Sequence, residues 1–179
     1  MEIVVLNGSP RRGGNTDALV GAFLAGAMES GNGVIVLNVT DFEVRPCIGC
    51  NRCFKSEEHR CWQDDHTEFI INQLRHADML VVASPVYFYS ISAQLKALID
   101  RLHNPVRDTF KIKQIALLCA AASSKPQVFD AIKKQYELLC DFFDLEDVGM
   151  VLAGGQKEKC GEAIRPYTDL AFQLGKSIR

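Results

Sequence analysis

The chain has 179 residues, 47% hydrophobic and 23% charged, an ordinary globular composition that excludes a disordered protein. Twenty basic residues against 22 acidic ones leave a formal charge of −2, with no basic excess to suit a nucleic acid or an anionic membrane. The longest apolar run, residues 115–122, is far short of the roughly 18 a spanning helix needs, and Glu2 stands where a secretion signal carries a base, so a soluble, cytoplasmic protein is expected.

Apolar runs of strand length alternate with helical patterns along the chain. Residues 2–7 (EIVVLN) read as a strand, and residues 16–30 as a helix stopped by Gly31-Asn32-Gly33. Residues 34–39 are the next β-branched run, and residues 41–63 then fit neither period. Asp65-His66-Thr67-Glu68 places an acid at a cap, and Phe69, Ile70 and Leu74 form an apolar stripe behind it. Residues 79–84 and 115–120 are nearly continuous apolar runs, as expected of strands buried on both faces. Between them Leu95, Leu98, Ile99 and Leu102 keep helical spacing after a Ser92 cap. Pro126 opens a helix through residue 140, residues 148–152 supply a fifth strand and residues 164–178 the last helix. Five strands alternating with five helices predict one α/β domain over residues 1–179, a three-layer sandwich around a parallel sheet.

The first strand runs into Gly8-Ser9-Pro10-Arg11-Arg12-Gly13-Gly14-Asn15-Thr16. At the carboxyl edge of a parallel sheet, unpaired helix N–H groups, arginines and hydroxyls suit a phosphate. A plain flexible turn would explain Gly13-Gly14 but not the neighbouring Ser, Arg, Asn and Thr. The lysine of a nucleotide P-loop is missing, and so is the GxGxxG dinucleotide pattern, so a single terminal phosphate fits best.

Two further blocks follow: Ser84-Pro85-Val86-Tyr87-Phe88-Tyr89-Ser90 with Gln94-Leu95-Lys96-Ala97-Leu98-Ile99-Asp100-Arg101, and Cys47-x2-Cys50-x2-Cys53-x7-Cys61 before Asp64-Asp65. With the glycine loop, they resemble the NAD(P)H-dependent FMN reductase family, including its iron–sulfur flavoprotein branch. The resemblance covers most of the chain and is weakest in the last quarter, where Ala153-Gly154-Gly155 and the final helix carry it. It implies a flavodoxin-like fold with strand order 2-1-3-4-5, FMN as cofactor and NAD(P)H as co-substrate. Ser9, Arg11, Asn15 and Thr16 would hold the flavin phosphate. Pro85, Val86, Tyr87 and Phe88 would wrap the ring system, with Ala121 beside it. Three adjacent aromatics, Tyr87 to Tyr89, cannot all enter one core, so at least one should face solvent, a ligand or a partner.

A flavin takes hydride without a side-chain nucleophile, so no catalytic acid or base is assigned, and the four histidines read as structural or exposed. The resemblance implies a flavin, a quinone, another small molecule or a redox protein as acceptor, and a homodimer or homotetramer. An iron–sulfur flavoprotein that carries electrons between redox proteins is the alternative. A response-regulator receiver is disfavoured because Asn7-Gly8-Ser9 replaces its acidic pocket. A low-molecular-weight tyrosine phosphatase is disfavoured because no cysteine has an arginine six positions on.

Seven cysteines exclude complete internal pairing, and clustering in an unsecreted chain argues for metal or redox chemistry. Cys47, Cys50, Cys53 and Cys61 could ligate a [4Fe–4S] cluster, although the ferredoxin run closes with a shorter gap and a proline. A four-thiolate zinc site and free thiols in a loop are the other readings. A cluster requires the loop to fold back, because cysteines three apart drift about 60° per step around a helix. Cys119 reads as a buried strand residue and Cys140 as one on a helix face.

Overall fold

The continuous apolar runs become strands because crossover helices cover both faces of a parallel sheet. The computed structural model describes residues 1–179. Its strands are β1 (Glu2–Asn7), β2 (Gly33–Asn38), β3 (Met79–Pro85), β4 (Gln114–Ala120) and β5 (Glu146–Ala153), all parallel in the order β2-β1-β3-β4-β5. Its helices are α1 (Asn15–Glu29), α2 (Arg52–Lys55), α3 (Thr67–His76), α4 (Ala93–Arg101), α5 (Asp130–Phe143) and α6 (Arg165–Ser177).

Strand periodicity divides the core in two. Ile3, Val5, Val81 and Leu118 point toward α1 and α6, where Phe23, Ala27 and Ala171 meet them. Val4, Leu6, Val82 and Leu117 point the other way, onto Ile70 and Leu74 of α3, Leu95 and Leu98 of α4, and Ile132 of α5. The expected stripe on α4 and Ile70 and Leu74 of that on α3 therefore face the core, whereas Phe69 is 48% exposed and packs on Phe42. The Ser92 hydroxyl caps α4 by accepting the Leu95 N–H at 3.3 Å. Cys119 is fully buried, and burial pushes its thiol up to about 12.

Three elements differ from expectation, the first being the short helix α2, Arg52–Lys55, inside the stretch 41–63 that fits neither period. Pro126 opens a 3-10 turn, Pro126–Phe129, and the α-helix starts only at Asp130. β5 extends beyond residues 148–152 because it is a sheet edge, and its solvent-facing residues weaken the apolar signature.

Candidate functional site

The connections at the carboxyl edge are stitched to one another. The Gly8 N–H donates to Ala83 C=O, Val86 N–H to Ala120 C=O, Ala121 N–H to Ala153 C=O and Gln156 N–H to Ala121 C=O, each at 2.8 Å. The loops after β1, β3, β4 and β5 thus share one rim, around the point where strand order reverses between β1 and β3.

Side chains beneath the glycine loop build it. Buried Asn7 accepts the Ser9 N–H at 3.1 Å and donates to Asp17 at 2.7 Å, while the Gly13 N–H donates to the second Asp17 oxygen at 2.6 Å. Gly13 takes the left-handed conformation, φ +60°, at the bend. Within the chain, the first bond of α1 is Ala18 N–H to Gly14 C=O, and no side chain caps the helix. The amides of Gly14, Asn15, Thr16 and Asp17 are therefore left as a row of donors at the positive end of a 15-residue helix. Ser9 and Thr16 are buried beside that row, and Arg11 is exposed at its mouth. Arg12 is engaged by Asp41. The Asn15 carboxamide points away to the segment after β5. It donates to Glu158 C=O at 2.9 Å and to Gln156 C=O at 3.4 Å, and accepts the Cys160 N–H at 2.8 Å.

After β3 the chain makes a two-residue turn, with Tyr87 and Ser90 exchanging backbone hydrogen bonds at 2.8 and 3.1 Å. Phe88 (φ 48°) and Tyr89 (φ 67°) occupy its centre, both left-handed and therefore strained for L side chains. Phe88 is 95% exposed and Tyr89 59%, which agrees with the expectation that these aromatics cannot all be core. Between this turn and the loop after β4 lies a cavity of about 280 Å³, lined by Val86, Phe88, Tyr89, Ala121, Ala122 and Val128 among others. Val86 and Ala121, expected at a ring-binding slot, face each other there, and Pro85 ends β3 beside it.

The cysteine loop is fixed at its root. Arg101 and Asp65 form a buried pair at 2.9 Å, with side chains 3% and 0% exposed, and the same guanidinium donates to Arg45 C=O at 2.7 Å. Asp65 also accepts the N–H groups of Arg45 at 2.9 Å and Thr67 at 3.0 Å. Burial would raise this carboxyl, but hydrogen bonds from Arg101, Arg45 and Thr67 outweigh it and hold it down to about 2. Arg101 had no role in the sequence reading. The available signal was its place three residues after Leu98, on the apolar face of α4.

Between those roots no two sulfurs are joined, and Cys47 Sγ accepts the Gly49 N–H at 3.5 Å. Cys47 and Cys50 are exposed, Cys53 and Cys61 half-buried. Burial, then the neighbouring Cys61 and more weakly Cys47, raises the Cys53 thiol. The Arg52 backbone N–H, aided by the Trp62 side chain, lowers that of Cys50. No three His, Cys, Asp or Glu side chains are arranged around a common metal position in this geometry. The four thiols share one loop without closing a ligand set.

Residues 1–159 match the sequence pattern of the family described as NADPH-dependent FMN reductase. An iron–sulfur flavoprotein of Methanocaldococcus jannaschii is 40% identical over 113 residues, 63% of this chain and 57% of that protein. The chain thus spans little more than half the length of that curated relative. A Bacillus subtilis protein provisionally named an NAD(P)H-dependent FMN-containing oxidoreductase is 28% identical, over 96% of this chain and 93% of its own. In fold, the chain is similar to an NAD(P)H:quinone oxidoreductase from Methanothermobacter marburgensis, with TM-score 0.82 at 17% identity, covering 98% of this chain and 96% of the other.

Proposed function

The chain belongs to the NADPH-dependent FMN reductase family, and from that premise we propose that it is an FMN-dependent oxidoreductase that passes electrons from NAD(P)H to a small acceptor such as a flavin or a quinone. The observation that carries this reading is the row of unpartnered amides from Gly14 to Asp17, on the same sheet edge as the slot lined by Val86, Phe88, Tyr89 and Ala121.

FMN, when bound, supplies hydride acceptance from the nicotinamide and onward transfer of the electrons. Ser9, Thr16, Arg11 and the α1 amides bind its phosphate. Pro85, Val86, Tyr87 and Phe88 wall its ring with apolar surface and exclude water, and Ala121 flanks them. The amides of Val86, Tyr87 and Ala121 are taken by carbonyls, so the Phe88 and Tyr89 amides are the ones left to offer donors to the ring's polar edge. None of these roles calls for a side-chain acid or base.

The exposed turn at Tyr87, Phe88 and Tyr89 supports a homodimer or homotetramer with the flavin near the subunit contact. No helix is long and apolar enough to cross a membrane, which is consistent with the proposed cytoplasmic location. Titration should give one FMN per chain and weak FAD binding, and NAD(P)H oxidation should require both FMN and an acceptor. Equal affinity for FMN and FAD would overturn the terminal-phosphate reading.

A second reading, an iron–sulfur flavoprotein acting as a carrier between redox proteins, is favoured by one observation: Cys61 and, more weakly, Cys47 lie close enough to Cys53 to raise its thiol beside the effect of burial. Four cysteine ligands would require the loop interior to close further. Anaerobic reconstitution with iron and sulfide should then load about four irons per chain in this reading, and Cys50→Ser should abolish the loading. Unchanged iron content in that variant would remove the carrier reading and leave the reductase reading intact.

A further inference from the structure

We propose that residues 156–161 form a strap over the FMN phosphate, locked by the Asn15 carboxamide, and that Lys159 is a second phosphate-binding cation beside Arg11. The inference rests on the FMN reading above and assigns residues from the far end of the chain to the same subsite.

The bonding capacity of Asn15 is the starting point. A carboxamide has two N–H donors. Both are directed at strap carbonyls, Glu158 at 2.9 Å and Gln156 at 3.4 Å, and the oxygen takes the Cys160 N–H at 2.8 Å. No side-chain N–H remains for a phosphate, so the Asn15 carboxamide acts on the subsite by positioning the strap.

The strap is held at other points as well. Gln156 is buried, and its side chain donates to Gly154 C=O at 2.8 Å and Ala163 C=O at 3.1 Å. The Cys160 thiol donates to Gly13 C=O at 3.2 Å. The Lys159 ammonium consequently stands over the glycine loop, 3.7 Å from where a Cβ on Gly13 would lie.

Charge gives this placement its purpose. A phosphate monoester carries close to two negative charges near neutral pH. Arg12 is engaged by Asp41, and the Asp17 carboxylate sits under the loop at Gly13. Arg11 alone would only offset Asp17. Lys159 tips the subsite toward an anion, and its exposed head can reach a phosphate seated on the amide row.

Equilibrium titrations with FMN and riboflavin, which lacks the phosphate, test this. Lys159→Ala should raise the FMN dissociation constant roughly tenfold or more and leave riboflavin unchanged. Asn15→Ala should do the same, and the double variant should be no worse than the Asn15 variant, because the unlocked strap no longer presents Lys159. FMN should also slow alkylation of Cys160 in the wild type but not in Asn15→Ala. An FMN constant within twofold of wild type for Lys159→Ala, an equal loss for riboflavin, or full additivity of the two changes would overturn the strap. Wild-type protein that binds no FMN would instead overturn the cofactor reading and the strap with it.

Discussion

Residues 8–16 and residues 45–65 are the two connections singled out by their chemistry, one after β1 and one after β2, and the chain holds them in opposite ways. The glycine loop is bonded from within: Asn7, Ser9, Gly13 and Asp17 satisfy one another beneath it, leaving only the outward amides free. The cysteine loop is bonded at its root, where Arg101 joins Arg45 to Asp65, while its sulfurs make few contacts. A loop wired from below presents a finished anion site, because its donors are already oriented. A loop anchored to the rest of the chain chiefly at its base, with bonds inside it among its own residues such as Gln63 to Pro46 C=O and the stacking of Arg52 on Trp62, leaves exposed thiols that another group can organise on binding. Preorganisation and adaptability are thus separated between two loops of one chain.

The largest effect should come from opening the root. Arg101→Met leaves the Asp65 carboxylate buried without its partner and should cost about 3–5 kcal/mol. Proteolytic cleavage within residues 46–64 should rise in step, while the glycine loop stays protected. Equal protection of both loops in that variant would contradict the division drawn above.

The glycine loop should respond next. Arg11→Ala should weaken FMN by about 1.5–3 kcal/mol and hardly affect riboflavin, measured by fluorescence titration. The loop's fold should survive, because Asn7 and Asp17 hold it without Arg11.

Acid should attack the root selectively. With its folded value near 2, the Asp65 carboxyl lies below its ordinary range. It contributes stability that is full above about pH 4 and lost as pH falls through about 2, up to about 2 kcal/mol. Urea melts across that window should show the loss in the wild type and less of it in Asp65→Asn.

The smallest effect compares two glycines of like conformation, Gly13 at φ +60° and Gly49 at φ +65°. Alanine in a left-handed conformation costs on the order of 1 kcal/mol. Gly13→Ala should show that cost in a thermal melt, since its wired loop cannot relax. Gly49→Ala should show only a fraction of it, because Gly49 lies in an exposed stretch whose backbone can leave the left-handed region.

The sequence by itself determined what repeats locally. Apolar periodicity marked the five strands and the core faces of α3 and α4, and the residue types of the glycine loop pointed to a phosphate before any geometry was known. It also marked Tyr87 to Tyr89 as residues that could not all be core, since one turn cannot aim three neighbours the same way. The tertiary structure decided what depends on distant backbone. Asn15 reads locally as a phosphate residue, yet its carboxamide is taken by carbonyls 141 and 143 positions away. Arg101 stands in the sequence only as the last residue of the block after the third strand until Asp65, 36 positions back, is folded against it. Periodicity fixes which face of an element is buried, because burial follows the backbone repeat. The partner of a single polar side chain is fixed only when packing brings two loops together, and no local pattern carries that information.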